Sequence, residues 1–570
     1  LYAHQEAIGS YQRALVLLKA QGDYERAART LMKLGLTYHN AFDFQQARQA
    51  YDEGFTLWQK MGEVQPAVLP PPAPHALRVV GNKPTTLDPT MAWGGHSTRV
   101  VFHLFSGLVK LSPEMDMVPD VAQSWEMLEG GRKYVFHLRD DVRWSDGVPV
   151  TAGDFEYAWK RVLDPSTGSP NASLLYDIKG ARVFHQGKGG GRDVGVRALD
   201  EFTLVVELEG PTGYFLQLLA YTATYPVPRH AVEAHGEAWT EVAHIVTNGP
   251  FRLEAWRQGE SMFLVRNPEY HGRFRGNLQR VELTLIPSKE WAAQLELYEA
   301  DGLDILDMAF FPPTELYDAR QRHAGEYVSL PWLATTYVVF DMRRPPFDDL
   351  WVRRAFVLAL DRETLADVAM KGDVFPATGG FVPPGMPGHS AGIALPYDPE
   401  RARELLAEAG YPGGRGFPIV DALAFHGTEP AVEYLQAQWR ESLGIEIIWE
   451  IMEWGMYLDR LDREPPHTCL AGWMADYPDP DNFLRVSPIR RYTGWQNKAY
   501  DSLVEEARRA TDQEERMRLY QQADRILVEE AAIMPLTYRR YHLLVKPWVK
   551  KSPTSPMKVW FWKDVIIEPH

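Results

Sequence analysis

Apolar positions along this chain follow two rhythms. Over residues 1–63 they recur at i, i+4 and i+7, the period of a helix that buries one face. Ala7, Tyr11, Ala14 and Leu18 set the pattern, and Ala47, Tyr51, Gly54 and Trp58 repeat it forty residues later. Beyond residue 76 the rhythm breaks into short β-branched and aromatic runs bounded by turn residues, with helical stretches between them. Strands are predicted at 77–80, 134–138, 203–208, 281–286, 336–340 and 445–451. A helix is predicted where Val352, Ala355, Phe356, Ala359 and Leu360 fall on one face, and others over 399–409, 430–442 and 513–531.

The helical segment carries a second signal. Gln21-Gly22-Asp23 recurs as Met61-Gly62-Glu63. Small and aromatic residues at these spacings suit close-packed antiparallel helices. With Leu34-Gly35-Leu36-Thr37-Tyr38 followed by Ala47, the segment is similar to a tetratricopeptide helix pair. A plain helical hairpin is the competing reading. Two units are few for such an array, so either further repeats precede Leu1 or the segment docks on its neighbour. Five prolines between residues 66 and 74 then mark 64–75 as an extended, semi-rigid linker. The remaining chain reads as a mixed α/β or α+β protein, too long for a single lobe.

Charge narrows the function. The net charge is −16, and residues 1–63 balance at seven basic and seven acidic side chains, so the acidic excess lies downstream. Nucleic acid is excluded as a partner on that balance. The single cysteine, Cys469, allows no internal disulfide, and no apolar run is long enough to span a membrane. The chain opens at Leu1 without an initiator methionine or signal segment, as expected of a processed or truncated piece. Catalytic motifs are lacking. Gly187-Lys188-Gly189-Gly190-Gly191 has neither the spacing nor the hydroxyl residue of a phosphate loop, and the histidines are scattered. Asp476, Asp479 and Asp481 are close enough to suggest paired carboxylates, but Pro478 and Pro480 break calcium-loop spacing. No enzyme activity, metal or cofactor is expected.

The segment Ala471-Gly472-Trp473-Met474-Ala475-Asp476-Tyr477-Pro478-Asp479-Pro480 sets one carboxylate among aromatic, glycine and proline residues, with no basic residue beside it. A buried carboxylate needs a cation, and a ligand ammonium would supply one.

Several separate motifs accompany this segment. They are Leu87-Asp88-Pro89, Leu104-Phe105-Ser106-Gly107-Leu108, Pro119-Asp120-Val121-Ala122-Gln123-Ser124-Trp125, the block from Leu138-Arg139-Asp140-Asp141 through Trp144-Ser145-Asp146-Gly147 to Asp154-Phe155, and Asn248-Gly249-Pro250-Phe251. In this order they resemble the family 5 extracellular solute-binding proteins, the peptide-binding subunits of ABC importers. The resemblance covers nearly all of 76–570. The turn at 144–147 and a helix cap from Thr151 and Asp154 read as scaffold.

The resemblance implies a two-lobed binding-protein fold, with lobe I from 76–105, 230–332 and 535–570, an inserted domain over 106–229, and lobe II over 333–534. It implies a short peptide held as an added β-strand, an ABC permease as partner, an extracytoplasmic site of action and a monomer. By the same resemblance Asp476 would hold the peptide ammonium, with Gly472, Trp473 and Met474 on one lobe and Trp93, Gly94 and Gly95 on the other flanking the ligand. Trp473 would wall a side-chain pocket, and Asn248 would clamp the ligand backbone. Two departures stand out. Met474 occupies a position that is cysteine in the best-known oligopeptide binders, and Leu470 replaces an arginine that helps neutralise the ligand carboxylate. Other family members take nickel chelates, haem or glycans, so a non-peptide solute is an alternative. A second alternative is a peptide sensor, active in the cytoplasm, whose helical repeats pass the signal to a protein partner.

Overall fold

The computed structural model describes residues 2–62, 75–510 and 512–570. Three helices open the chain: α1 (Tyr2–Ala20), α2 (Tyr24–Asn40) and α3 (Phe44–Gly62). Gly22, at φ +71°, makes the first turn, and Asp23 caps α2 by accepting from the Arg26 N–H at 3.1 Å. The small residues of the repeat serve close approach. A Cβ on Gly35 would lie 2.5 Å from the Tyr51 ring, and one on Gly54 would lie 2.6 Å from the Met32 methyl. Most of the proposed linker at 64–75 lies outside the described residues; His75 begins the first strand.

One eleven-stranded sheet runs through both lobes. In spatial order its path is Ile448–Met452, Asp421–Phe425, Thr468–Met474, Tyr327–Phe340, Ile533–Val545, Ile305–Asp307, His75–Gly81, Leu278–Leu285, Ser261–Arg266 and Phe251–Arg257; Val374–Pro376 pairs off this path with Ile533–Val545. The two long central strands, Tyr327–Phe340 and Ile533–Val545, cross between the halves. Their pairing breaks register between Pro331 and Thr335, where one half gives way to the other. Separate hydrophobic cores fill the two sides, one around Leu77, Leu104 and Val281 and another around Val338, Phe356 and Trp439.

A strand forms in each predicted segment, several of them longer than expected, with 336–340 the end of a fourteen-residue strand; the one predicted over 445–451 begins only at Ile448 and ends at Met452. The helices at Leu350–Leu358, Pro399–Glu408, Glu429–Leu443 and Gln513–Glu529 also match their apolar periodicity. The scaffold turns hold as well. Gly147 sits at φ +89° with its N–H on the Trp144 carbonyl at 2.8 Å, and the Thr151 N–H donates to Asp154 Oδ2 at 2.8 Å.

A four-stranded sheet, in the order Ala122–Leu128, Lys133–Leu138, Thr203–Glu207, Val196–Ala198, stands apart from the large one. It receives the N-terminal helices. Tyr51 and Phe55 meet the Trp125 ring edge-on at centroid distances of 5.1 and 4.9 Å, and the buried His39 shares a 2.8 Å hydrogen bond with Tyr134. Burial pushes the His39 imidazole down to about 4, so it sits in this contact neutral. Lys33 with Asp116 and Arg48 with Glu126 add ion pairs at the rim. Because Tyr51 is 1% exposed, Tyr51→Ala should cost about 3–5 kcal/mol in this contact. Denaturant titration should then show the helices releasing before the two-lobed body unfolds.

Candidate functional site

Local pairing leaves a backbone edge open. The strand Thr468–Met474 pairs antiparallel with Tyr327–Phe340 along its full length, from Phe340 opposite Thr468 to Ala334 opposite Met474. On its other side, the strand Asp421–Phe425 reaches only Thr468 and Cys469. Among the described residues no strand covers that side of Gly472, Trp473 and Met474. Gly472 is exposed, with nothing but the Thr335 carbonyl within 4.0 Å of where a Cβ would stand. A ladder edge of this kind takes an extended chain by main-chain hydrogen bonding.

Asp476 lies two residues past this edge. The Ala475 N–H donates to the Leu333 carbonyl at 3.0 Å, fixing the turn against the crossing strands. Fully buried Asn482 then organises the site. Its Oδ1 accepts the Asp476 N–H at 3.1 Å and Trp473 Nε1 at 3.0 Å, while its Nδ2 donates to Asp476 Oδ2 at 3.0 Å. The Tyr221 hydroxyl, arriving from the part of the chain that carries the small sheet, is a second hydrogen-bond partner of the same carboxylate. Asp476 keeps part of its surface accessible, but protein rings it closely. Burial pushes its carboxyl up to about 6 against the opposing pull of Asn482 and Tyr221.

The neighbouring acids are neutralised by comparison. Arg516 donates to both oxygens of Asp479 at 2.6 and 2.8 Å, with both groups buried. Arg485 grips Asp481 at 2.5–3.0 Å, and Tyr477 and Tyr520 donate to it as well. These two aspartates are structural ion pairs, so the carboxylate cluster is no pair of catalytic acids. Among the described residues Asp476 alone of the three has no cation within ion-pair distance, and no acidic or histidine cluster could hold a metal.

The facing lobe presents residues 93–95. Gly94, at φ +75°, opens helix α4 (Gly94–Leu104), a backbone conformation that favours glycine. A Cβ on Gly95 would lie 3.6 Å from the Met474 methyl, so these two segments meet across the interlobe gap, and the Trp93 side chain is 37% exposed beside them. Asn248 is placed elsewhere. Its side chain is fully buried, accepting from Ser106 N–H at 2.9 Å and donating to the Ser106 carbonyl at 3.0 Å. With both ends of its amide committed, Asn248 pins its own chain and offers nothing to a ligand. Trp473 is half-buried; its indole N–H locks onto Asn482 while its ring leans on the second-lobe core. Leu470 is buried in the other core, around Val338, Phe356 and Trp439, so nothing cationic stands at that position.

A latch joins the unit that carries the small sheet to the segments around Arg485 and Arg508. Asp177 Oδ2 accepts from the Tyr214 hydroxyl at 2.6 Å and its Oδ1 accepts from Arg508 at 2.6 Å; Arg485 reaches the same hydroxyl at 3.2 Å. The Tyr214 and Tyr477 rings stack at 5.3 Å. Tyr221, Asn482 and this latch were not legible in the sequence. Tyr221 stands more than 250 positions from Asp476, and no local pattern marks it.

This arrangement, a two-lobed sheet crossed by paired strands with an open strand edge and an uncompensated carboxylate beside the facing segment at 93–95, is that of a two-lobed binding protein. Comparison with known proteins agrees. The profile described as bacterial extracellular solute-binding proteins, family 5 Middle, matches residues 116–488, and the chain belongs to this family. It is 33% identical to the probable deoxycholate-binding periplasmic protein YgiS of Escherichia coli over 503 residues, covering 85% of this chain and 92% of that one. It is likewise 33% identical to the periplasmic oligopeptide-binding protein OppA of Escherichia coli over 484 residues, covering 82% and 88%. The crystal structure of Haemophilus influenzae OppA in complex with RPPGFSPFR superposes with a TM-score of 0.79 at 28% identity, over 87% of this chain and all of that one.

Proposed function

We propose that this protein captures short peptides between its lobes and delivers them to an ABC permease, acting outside the cytoplasm as the names of its periplasmic relatives describe for them. The observation that carries the reading is the open strand edge at 472–474 running directly into Asp476, a carboxylate with no cation within ion-pair distance among the described residues. The edge supplies sequence-independent hydrogen bonds, and Asp476 takes the peptide ammonium. Trp473 and Met474 on one side, with Trp93, Gly94 and Gly95 on the other, flank the ligand. The division of lobe I (76–105, 230–332, 535–570), inserted domain (106–229) and lobe II (333–534) fits the crossing at residues 331–335 and the separate small sheet.

Native mass spectrometry followed by sequencing of released material tests this reading. A mixture of short peptides supports it. A single non-peptide species overturns the peptide reading while keeping the cleft, and deoxycholate is the first such species to check, given the relative named for it.

The titration of Asp476 makes a further test. Its carboxyl sits at about 6 without ligand, and a bound ammonium lowers that value, so binding releases the proton. Affinity should therefore hold above pH 6 and fall by up to tenfold per pH unit below it. Above about pH 8 the peptide α-amine loses its own proton, and affinity should fall again. Calorimetric titration of an unblocked tripeptide from pH 5 to 9 should show a maximum near neutrality.

The N-terminal helices admit a second role. Their glycine-mediated packing supports a tetratricopeptide-like pair that binds a protein partner, and their dock on the small sheet would couple that partner to the cleft. Pull-down with the intact chain, compared with one carrying substitutions on the exposed Val16 and Leu17 of α1, tests it.

A further inference from the structure

The helices that open the chain are joined to the ligand site by one short segment. The turn between α2 and α3 presents His39, Phe42 and Phe44 to the small-sheet unit. Phe42 holds a left-handed backbone, φ +57°, which a bulky residue adopts only where its surroundings impose it. Its ring packs on Gly213, where a Cβ would stand 3.2 Å from the ring tip. The Phe44 ring covers Gly131 more closely still, at 2.4 Å from such a Cβ. The two rings meet edge-on at 5.7 Å, and Phe44 meets His39 at 5.3 Å. His39 faces the Gly213 backbone, and its partner Tyr134 packs at 4.8 Å on Phe215. The turn therefore holds residues 213–215 from two sides. It lies outside the residues 116–488 that the family profile matches.

From Gly213 the chain is folded all the way to the carboxylate. The Leu218 N–H donates to the Tyr214 carbonyl at 2.9 Å, the Tyr221 N–H to the Leu218 carbonyl at 3.0 Å, and the Thr224 N–H to the Tyr221 carbonyl at 3.0 Å. Tyr214, Leu218 and Ala223 bury against Tyr477, and Tyr221 and Val486 pack on the same cluster. Tyr477 adjoins Asp476, and Val486 ends the helical turn that begins at Asn482. One segment therefore delivers Tyr214 to the latch and Tyr221 to Asp476.

The electrostatic setting leaves Tyr221 a clear task. Among the described residues the Asp476 carboxylate is held by Asn482, six positions along the chain, and by Tyr221. Tyr221 in turn faces no charged group but Asp476. At the dock, burial keeps His39 and Tyr134 uncharged through the neutral range. A hydroxyl that donates to a carboxylate favours the ionised form, and a displacement of about 1 Å is enough to lose that bond.

We propose that the α2–α3 turn is a positioning element for the ligand: by seating Phe42 and His39 on residues 213–215 it sets where Tyr221 stands, and so how readily Asp476 is held in its ionised, ammonium-binding form. This rests on the reading of Asp476 as the ammonium site. Phe42 acts through Tyr221 and touches no ligand itself.

Phe42→Gly removes the ring while relieving the left-handed backbone, so the turn keeps its path. Phe42→Leu keeps an apolar side chain over Gly213. Calorimetric titration of Ala-Ala-Ala from pH 5 to 8 reads the carboxyl through the acid limb of affinity. Tyr221→Phe should move that limb up by about one pH unit, since a hydrogen bond to the charged form is lost. Phe42→Gly should move it up by about half as much or more, and Phe42→Leu should restore most of the wild-type profile. Tyr221→Phe/Phe42→Gly should go no further than Tyr221→Phe alone. A limb unmoved in either single glycine or phenylalanine variant, or shifts that add in the double variant, overturns the positioning, because a merely structural dock lowers stability without moving the limb.

If wild type binds no such peptide, the ammonium reading fails first, and hydrogen exchange of the ligand-free protein still decides the positioning. Phe42→Gly should speed exchange about tenfold or more at the Leu218, Tyr221 and Thr224 amides, beyond the residues it touches. Exchange raised only at 39–44 and 131–136 overturns the proposal.

Discussion

Replacing Asp476 with asparagine should abolish tight peptide binding and at the same time stabilise the ligand-free protein. In the complex the carboxylate and the peptide ammonium form a desolvated pair, and removing one charge from such a pair costs roughly 3–5 kcal/mol. That is about two to three and a half decades in Kd. Without ligand the sign reverses. The folded-state carboxyl, at about 6, lies above its ordinary 3.8, so the ionised form is disfavoured in the fold. Stability tied to this group is greatest below pH 4 and is lost as pH rises through 6. With the residual exposure discounted, the penalty at pH 8 is about 1–2 kcal/mol. An asparagine escapes it and keeps both contacts, because Asn482 still donates to its oxygen and the Tyr221 hydroxyl can accept as well as donate. Calorimetric titration and thermal melts at pH 5 and 8 should show lost binding, together with a Tm gain at pH 8 that fades toward pH 5. Retained peptide affinity would remove Asp476 from the site.

The second large effect should come from Asp177, which lies outside the proposed peptide contacts. Asp177→Ala strips Arg508 and Tyr214 of their shared acceptor in the contact between the small-sheet unit and lobe II. Truncating one member of a buried, hydrogen-bonded charge pair at an interface costs about 2–5 kcal/mol. Arg508 retains Glu505 at 2.7 Å, which places the loss near the lower end. Since ligand affinity scales with the population of the closed form, Kd should rise about tenfold to a hundredfold with the binding residues intact. Small-angle scattering should show a larger radius of gyration for the ligand-free variant than for wild type, converging once ligand is saturating. An unchanged radius with weakened binding would contradict the latch.

Sequence reading reached the scaffold because its signals are local. Period-two and period-3.6 patterns identify strands and helices one window at a time, and Thr151 with Asp154, or Gly147 in its turn, carry their geometry within a few residues. The carboxylate at 476 was legible for the same reason, since its lack of a neighbouring cation is a statement about adjacent residues. The resemblance offered Asn248 as a ligand clamp, but its buried amide is committed to the Ser106 backbone, a contact 142 positions away that no local pattern records.

The sequence by itself determined the helical opening segment, the mixed α/β body and the family, and it singled out Asp476 as a carboxylate without a neighbouring cation, because each rests on short-range pattern or ordered motifs. Tertiary structure alone decided which charges are compensated. Among the described residues Asp479 meets Arg516 and Asp481 meets Arg485, while Asp476 meets Asn482 and Tyr221 and no cation. Those pairings depend on how the strands cross and the lobes close. A charge is costly or satisfied according to what folding brings within a few ångströms of it, and distance along the chain does not record that.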